Sequence, residues 1–438
     1  MLEVTVIRAD TERVRRALAK RGVRVDLSAF LALDQERRNT RTETERLRAD
    51  RKRISAEVAG ARRAGEGAEE LQARAKELAA LLTERESRLT ELERECREFL
   101  DPLPNLPDED VPAGGKERNE VLRTVGEPAD LPFPAKDHVT LARSLDLVDY
   151  QRGTKLGGSG FWVYGGDGAR LEWALLNYFV AAHLSDGYRF VLPPHILTHE
   201  AGYAAGQFPK FADEVFAVER GETGPERFLL PTSETALVNL HRDETLPEAE
   251  LPLRYFAYSP CYRKEIGGYR STERGTLRGH QFNKVEMFQF AHPERSDEAH
   301  DELLAKAERL VADLGLTYRV TRLAAEDTSA AMARTLDIEV LLPSVGGHVE
   351  VSSVSNARDY QARRGNIRYR PRHGRSAFVH TLNASGLATS RLMPALLEQH
   401  QREDGTVALP EVLRPWFPDL LLTPLTTARR LTAAERNA

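Results

Sequence analysis

The sequence predicts an α+β protein: an antiparallel helical coiled-coil arm at the N-terminus, then one large domain of mixed strands and helices. Three observations predict it. Residues 26–100 contain no proline, few aromatics and many charges, with apolar residues recurring at helical spacing. Seven of the 23 prolines fall between Pro102 and Pro134, a density that forbids helix and marks a boundary. Beyond Asp137, strand-like and helix-like pieces alternate to the end. A length of 438 residues suits roughly two to three domains, and 41% hydrophobic residues can fill a sizeable core.

Composition narrows the class. No run of about 18 apolar residues is present, so no membrane span is expected. The N-terminus is charged from its third residue and shows no apolar signal region. Cys96 and Cys261 are the only cysteines, too few for a disulfide scaffold or a cysteine-rich zinc site. The histidines lack metal-ligand spacing, so no zinc is expected. A reducing, cytoplasmic setting follows. The net charge of −5 gives no global preference for nucleic acid, although a sum hides local patches.

The chain opens with a predicted short strand, Leu2–Val6, and a short helix. Gly65-Glu66-Gly67 then splits the long charged segment into two helical halves. In the second, Leu71, Ala75, Leu78, Leu82, Leu89, Leu92, Cys96 and Phe99 follow the three-and-four spacing of a coiled-coil seam, broken at Arg85. The first is a poorer seam, with Leu31, Leu47, Ile54, Val58 and Ala61. A tight turn between them predicts an antiparallel arm of roughly 55 Å. Its first half is basic: from Gln35 to Arg63 ten basic residues face five acidic ones. Arg38, Arg41, Arg46, Arg48, Arg51, Lys52 and Arg53 form the cluster read here as a nucleic-acid backbone contact.

Within the second domain, Leu171–His183 reads as a helix, and Gly187–Pro194 as a strand ended by prolines. Gly157-Gly158-Ser159-Gly160 lacks the spacing of a phosphate loop and reads as a hairpin turn before a strand, Phe161–Tyr164. The richest stretch is Cys261–Phe290, read as strand, charged loop and strand. Arg263, Lys264 and Glu265 end its first strand; Gly267, Gly268, Arg270, Glu273, Arg274 and Arg278 lie in the loop; Gln281–Phe288 return. Arginine forks at facing strand ends suit a polyanionic small molecule, and Phe282 suits stacking on a base. His280 is the one histidine in this stretch.

Four further stretches carry chemistry. Thr232-Ser233-Glu234 sets hydroxyls beside a carboxylate at a helix start, as an N-cap would. Glu350-Val351-Ser352-Ser353 alternates like a strand, and Glu350 with a hydroxyl suits Mg²⁺ beside phosphates. Gln361-Ala362-Arg363-Arg364 is basic. Leu382–Arg391 reads as a small-residue loop entering an apolar helix, with Arg391 in its first turn.

Together these motifs resemble bacterial-type seryl-tRNA synthetase, a class II aminoacyl-tRNA synthetase, over nearly the whole chain. Gly187–Pro194 resembles the first class II motif, Tyr262–Glu286 the second, and Asn383–Arg391 the third; Thr232-Ser233-Glu234 and Gln361–Arg364 resemble features of the seryl branch. The resemblance implies a six- or seven-stranded antiparallel sheet flanked by helices, and a homodimer. It implies residues 1–104 as a tRNA-binding domain with its arm at about 27–100, a linker over 105–136, a catalytic domain over 137–425 and a tail over 426–438. The implied ligands are ATP, Mg²⁺, L-serine and serine tRNA with its long variable arm, and selenocysteine tRNA where one exists.

Roles carry over by position. Arg263, Glu265 and Arg391 are the implied catalytic residues. Arg263, Lys264, Glu265, Phe282, Glu350, Val351, Ser352, Ser353 and Arg391 would meet ATP, with Glu350 and Ser353 on Mg²⁺. Thr232, Ser233, Glu234, Arg263, Glu286, Asn383 and Ser385 would surround serine. The chain departs from the family pattern at Ala384 and Ser390, where glycine is usual, at Ala357, where cysteine is usual, and around Gly158, where Ser-Gly-Ser-Arg is common. A left-handed Ala384 would cost on the order of 1 kcal/mol. These departures leave open a specialised serine-activating paralogue, biosynthetic or protective against an antibiotic, and a non-catalytic tRNA-binding paralogue.

Overall fold

The computed structural model describes residues 1–65, 67–128, 131–222, 224–265 and 274–424. Glu66, Gly267, Gly268, Arg270, Glu273 and the tail at 426–438 lie outside them. The chain divides into two compact units. One is Leu2–Ala19 with Val23–Leu103; the other is Met1, Lys20–Gly22 and everything from Pro104.

The first unit is helical: α1 (Val4–Ala9), α2 (Thr11–Lys20), α3 (Leu27–Ala64) and α4 (Glu69–Leu100). The strand expected at Leu2–Val6 is instead the start of α1. No described strand pairs with it, and a lone strand leaves its backbone groups unsatisfied. The helical turn closes the Ile7 amide onto the Glu3 carbonyl and buries Ile7. Asp26 caps α3 by accepting from the Ser28 amide, and Gly65 ends it at φ 71°, where a side chain would be strained.

Helices α3 and α4 run antiparallel, since Arg41 pairs with Glu93 and Arg48 with Glu86. Leu47, Ile54, Leu82, Leu92 and Cys96 are buried, and Phe30 stacks on Phe99 with centroids 5.0 Å apart. The weak α3 seam is completed by Thr40 and Thr44, which are buried. Thr44 satisfies its hydroxyl on the Thr40 carbonyl, at 2.8 Å. Arg85, the break in the α4 seam, pairs with Glu43 at 3.2 Å.

The second unit is built on one eight-stranded sheet: β1 (Glu120–Val125), β2 (Arg189–Val191), β3 (Leu253–Tyr262), β4 (Gln281–Ala291), β5 (Tyr318–Arg322), β6 (Arg334–Leu342), β7 (Gly347–Arg358) and β8 (His380–Ala388). The spatial order is β1-β5-β6-β7-β8-β4-β3-β2. Every pairing is antiparallel except β2 with β3. The sheet exceeds the expected six or seven strands because both edges are extended. The proline-rich segment supplies β1, which needs ladder bonds on one side only, and the three residues of β2 add the parallel edge.

The remaining helices are α5 (His138–Ser144), α6 (Tyr150–Gly157), α7 (Gly166–Ser185), α8 (His199–Ala204), α9 (Glu234–Leu237), α10 (Ser296–Asp313), α11 (Tyr360–Arg364) and α12 (Thr389–Gln399). Leu171, Leu175 and Phe179 of α7, Leu303 and Leu310 of α10, and Leu392 and Leu396 of α12 share one core cluster with Met287, Val340 and Val354 of the sheet.

Two local expectations change. The glycine run at 157–160 is not a hairpin turn. Asp149 accepts from the Arg152 amide at 2.8 Å and starts α6, and Gly158 ends it at φ 90°. The strand there is only Val163–Tyr164, paired with Val148–Asp149 across that helix. Leu382–Ala388 is not a loop either, but lies within β8 between β7 and β4. Ala384 is regular strand opposite Met287 and Val354, and it is absent from the residues with positive φ, so the anticipated strain does not arise.

Candidate active site

Strand alternation gathers the site on one face of the sheet. On β6, Thr335, Asp337 and Glu339 share a face, each two residues from the next. They pair with Ser355, Ser353 and Glu350 of β7. Glu350 and Ser353 are three apart, which in a regular strand would place them on opposite faces. The register slips between Ile338/Ser352 and Glu339/Glu350, a bulge that restores the common face. On β4, Lys284 and Glu286 alternate in the same way, and Asn383 and Ser385 do so on β8.

All of these residues line one cavity of about 750 Å³, together with Thr232, Glu234, Arg263, Glu265 and Arg391. Ten predicted site residues therefore meet there: Thr232, Glu234, Arg263, Glu265, Glu286, Glu350, Ser353, Asn383, Ser385 and Arg391.

Around the buried carboxylates the geometry is tight. Lys284 Nζ lies 2.5 Å from Glu286 Oε2 and donates to Thr232 Oγ1 at 2.6 Å. Asn383 Nδ2 bridges two carboxylates, Glu286 Oε1 at 3.1 Å and Glu234 Oε2 at 3.3 Å. Burial, followed by the neighbouring Glu286, pushes the Glu234 carboxyl up to about 7. Asn383 Oδ1 is buried without a partner among the described residues, an acceptor suited to a donor from a ligand.

Elsewhere on the wall, Arg391 Nη1 meets Glu350 Oε2 at 3.2 Å and donates to the Glu350 carbonyl at 3.1 Å. Ser353 Oγ donates to Asp337 Oδ1 at 2.5 Å and lies 3.3 Å from Glu350 Oε1. Burial and then Glu350 raise Asp337 well above the usual carboxylate range. Burial would raise Glu350 too, but Arg391 and Arg263 together outweigh it and hold its carboxyl low. Arg278 pairs with Glu265 at 2.8 Å, so this loop arginine is engaged at the site rather than free for a distant partner.

Five predicted side chains do not line the cavity. Ser233 is fully buried with its hydroxyl 2.6 Å from Ser259 Oγ. It is in helical conformation and caps nothing; the cap-type bond of this triplet is made by Thr232, whose Oγ1 accepts from the Glu234 amide at 3.4 Å. Lys264 reaches the Asp213 carbonyl at 3.1 Å. Val351 is turned into the core by the bulge, and Ser352, alternating with Ser353, faces away and donates to the Ser385 carbonyl. Phe282 is half-buried with the Arg263 guanidinium over its ring, 5.3 Å from the centroid. His280 Nδ1 lies 3.0 Å from the Arg263 carbonyl.

Lys284, Asp337 and Glu339 were missed in the sequence. The alternation Thr335-Leu336-Asp337-Ile338-Glu339 was the available signal for the last two, and the two-residue spacing to Glu286 for Lys284. Among the described residues no group of three or more His, Cys, Asp or Glu is placed to hold a metal ion. The predicted basic cluster lies in the other unit, on α3. Arg38 pairs with Asp34, Arg41 with Glu93, Arg48 with Glu86 and Arg53 with Asp50. Arg51 and Lys52 are exposed, and Arg46 comes no nearer than 4.0 Å to Asp50.

Comparison with known proteins follows this division. Residues 1–107 match the seryl-tRNA synthetase N-terminal domain, and residues 216–400 the class II tRNA synthetase core domain (G, H, P, S and T). The chain is 55% identical to serine–tRNA ligase 2 of Clostridium acetobutylicum, over 95% of this chain and 99% of that one. It is 43% identical to serine–tRNA ligase of Nitratidesulfovibrio vulgaris, over 96% and 99%. A seryl-tRNA synthetase of Pyrococcus horikoshii, solved in complex with ATP, superposes with a TM-score of 0.89 at 34% identity, covering 97% of this chain and all of that one. The cytoplasmic serine–tRNA ligase of Naegleria fowleri, solved with AMP, gives 0.85 at 26% identity, covering 97% and 99%.

Proposed function

This chain belongs to the seryl-tRNA synthetase family, and from that premise we propose that it activates L-serine with ATP and transfers the seryl group to the 3′ end of serine tRNA. One observation carries the proposal. The acid and hydroxyl cluster of buried Thr232, Glu286 and Asn383 and half-buried Glu234 and Ser385 shares its cavity with Arg263, Arg391 and Glu350. The first set suits an ammonium and a small hydroxyl, and the second a polyphosphate.

In the first step a serine carboxylate oxygen bonds to the α-phosphorus of ATP and the bond to pyrophosphate breaks. The carboxylate is already ionised at neutral pH, so no general base is needed. Positioning and charge neutralisation supply the acceleration. Arg263, held by its bond to the Pro231 carbonyl and by Phe282 beneath it, spans the carboxylate and the α-phosphate. Arg391 turns from Glu350 toward the γ-phosphate. Glu265 faces the adenine. In the second step a hydroxyl of the tRNA's terminal ribose attacks the seryl carbonyl and AMP leaves.

Serine fits the acid cluster by donor count. Asn383 Oδ1 takes a donor it lacks among the described residues, and Glu234 and Glu286 receive the ammonium. Alanine would leave one of these groups unpaired, which a hydrogen-bonding pocket penalises strongly. Mg²⁺ fits the oxygens of Glu350 and Ser353, with Asp337 adjoining Ser353. Held there, the ion would neutralise phosphate charge as the bond to pyrophosphate breaks.

We assign the basic face of α3 to the tRNA variable arm, and a homodimer contact to the surface around β2. There Phe190, Leu192, Ile196 and Trp173 are exposed. No described helix is long and apolar enough to cross a membrane, and a cytoplasmic site of action is part of the proposal. Charging total tRNA with serine, ATP and Mg²⁺ tests it: seryl-tRNA should accumulate, and its absence with an intact ATP-binding enzyme would refute the reading.

A second reading is a specialised copy alongside another serine-charging enzyme. It is favoured by the higher identity to a relative named serine–tRNA ligase 2 than to one named serine–tRNA ligase, and by Ala357, Ala384 and Ser390. Weaker inhibition by a seryl-adenylate analogue than in a typical family member would support it; equal inhibition would remove the inhibitor-resistant version.

A further inference from the structure

The run Gln361–Arg364 has no part in the mechanism above, yet its first residue reaches the site. We infer that Gln361 is a positioning residue of the amino-acid pocket, locking the Glu234 carboxylate in place through a hydrogen-bond chain that begins at Thr381. The inference rests on the reading of that pocket as the serine site.

The geometry leaves Gln361 one orientation. Its Oε1 accepts from Thr381 Oγ1 at 2.7 Å. Its Nε2 donates to Glu234 Oε1 at 2.7 Å and to the Ala205 carbonyl at 3.0 Å. Thr381 and Gln361 are both essentially sealed from solvent. A flipped amide would set its oxygen against a carbonyl and a carboxylate, so the Ala205 carbonyl, which can only accept, fixes the arrangement that gives Glu234 a donor, and the Thr381 hydroxyl completes it on the amide oxygen.

With Asn383 on the other oxygen, each oxygen of Glu234 accepts from one side-chain amide. The same amide ties Glu234 to the Ala205–Gln207 turn, which also lines the cavity. The charged groups that face Glu234 are Glu286 and Lys284 on β4 and Arg263 beyond β3. Arg364, on α11 itself, is turned to the Phe208 carbonyl and the Tyr360 hydroxyl. Among the groups held on Glu234, Gln361 is a neutral donor. It therefore fixes position without adding charge to a pocket that must recognise an ammonium.

The test uses the full-length enzyme and serine-dependent ATP–pyrophosphate exchange from pH 6 to 8.5. Wild type comes first: if it shows no exchange with serine, the reading of the pocket has failed and the Gln361 inference with it. Given wild-type exchange, Gln361→Leu should raise the serine KM about tenfold or more, the effect of removing a donor from a buried carboxylate, with the ATP KM within about twofold.

Gln361→Glu keeps the shape and guards against misfolding of the leucine variant. Protonated, it still donates to Glu234; ionised, it sets a third carboxylate beside Glu234 and Glu286. Because Glu234 itself lies at about 7, the comparison is made with wild type at each pH: the ratio of serine KM values should approach one at pH 6 and rise steeply toward pH 8.5, while the ratio of ATP KM values stays flat. A merely structural role would move both constants together and without that pH dependence. An unchanged serine KM in both variants, or equal changes in both KM values, would overturn the inference.

Discussion

Lys284 Nζ stands 2.5 Å from Glu286 Oε2, and both side chains are almost fully buried. Each of the two charges is tolerable there because of the other. Thr232 takes a further Lys284 proton at 2.6 Å, so a single ammonium organises two of the pocket's polar walls. Lys284→Met would leave Glu286 buried beside Glu234 without its cation. The expected loss of stability is about 3–5 kcal/mol, read by urea denaturation, with a sharp rise in the serine KM. A variant as stable as wild type would show that Glu286 finds another partner.

Arg263, proposed above as the phosphate fork, is set on Phe282 and tied to the Pro231 carbonyl. Arg263→Ala should lower the exchange rate by at least about 100-fold, the scale of removing one preorganised charge-stabilising donor. Binding of serine tRNA should change by less than about twofold, because the predicted tRNA contacts lie on α3. Exchange that survives the substitution would show that the fork is misassigned.

Several α3 arginines pair with carboxylates, Arg48 with Glu86 and Arg53 with Asp50 among them. Exposed pairs of this kind are worth little, so a phosphate can displace them. Replacing Arg46, Arg48, Arg51 and Arg53 together by glutamine should weaken tRNA binding. The plot of log affinity against log salt should become shallower by about 1 or more. An unchanged slope would move the tRNA contact elsewhere.

Glu172 of α7 is buried behind the site. Its Oε1 accepts from Thr389 Oγ1 at 2.6 Å and from Asn283 Nδ2 at 2.8 Å, and its Oε2 has no partner among the described residues. Burial pushes its carboxyl up from 4.5 to about 7. The folded state thus holds this proton more tightly than the unfolded chain does. Stability from this group is complete below about pH 4.5 and is lost as pH rises to about 7. Glu172→Gln keeps the accepting oxygen and removes the titration. It should be more stable than wild type at pH 8, by up to a few kcal/mol, and lose most of that advantage at pH 5. Thermal melts at the two pH values check this; an equal gain at both would mean Glu172 does not titrate on unfolding.

What could be read beforehand was local. The α3–α4 hairpin showed in its proline-free spacing and its glycine turn. The β3–β4 hairpin showed in the alternation either side of the charged loop. Arg263, Glu265, Glu286 and Arg391 could be placed because resemblance fixed short motifs. What stayed hidden depends on distant pairing. Strand β1 exists only because Tyr318–Arg322 offers it a ladder. The bulge opposite Ile338 and Glu339 decides that Glu350 and Ser353 face the cavity while Val351 and Ser352 turn away. Likewise Ser233 sits between two site residues in sequence, but its hydroxyl goes to Ser259 behind them.

In the proposed function, the acid cluster around Glu234, Glu286 and Asn383 selects serine for activation on ATP. Pyrophosphate exchange into ATP, measured with each of the twenty amino acids in turn, tests it most directly. Strong exchange is expected with serine, and exchange with alanine and glycine lower by at least about 100-fold. Equal exchange with alanine, a preference for another amino acid, or no exchange with any would contradict it.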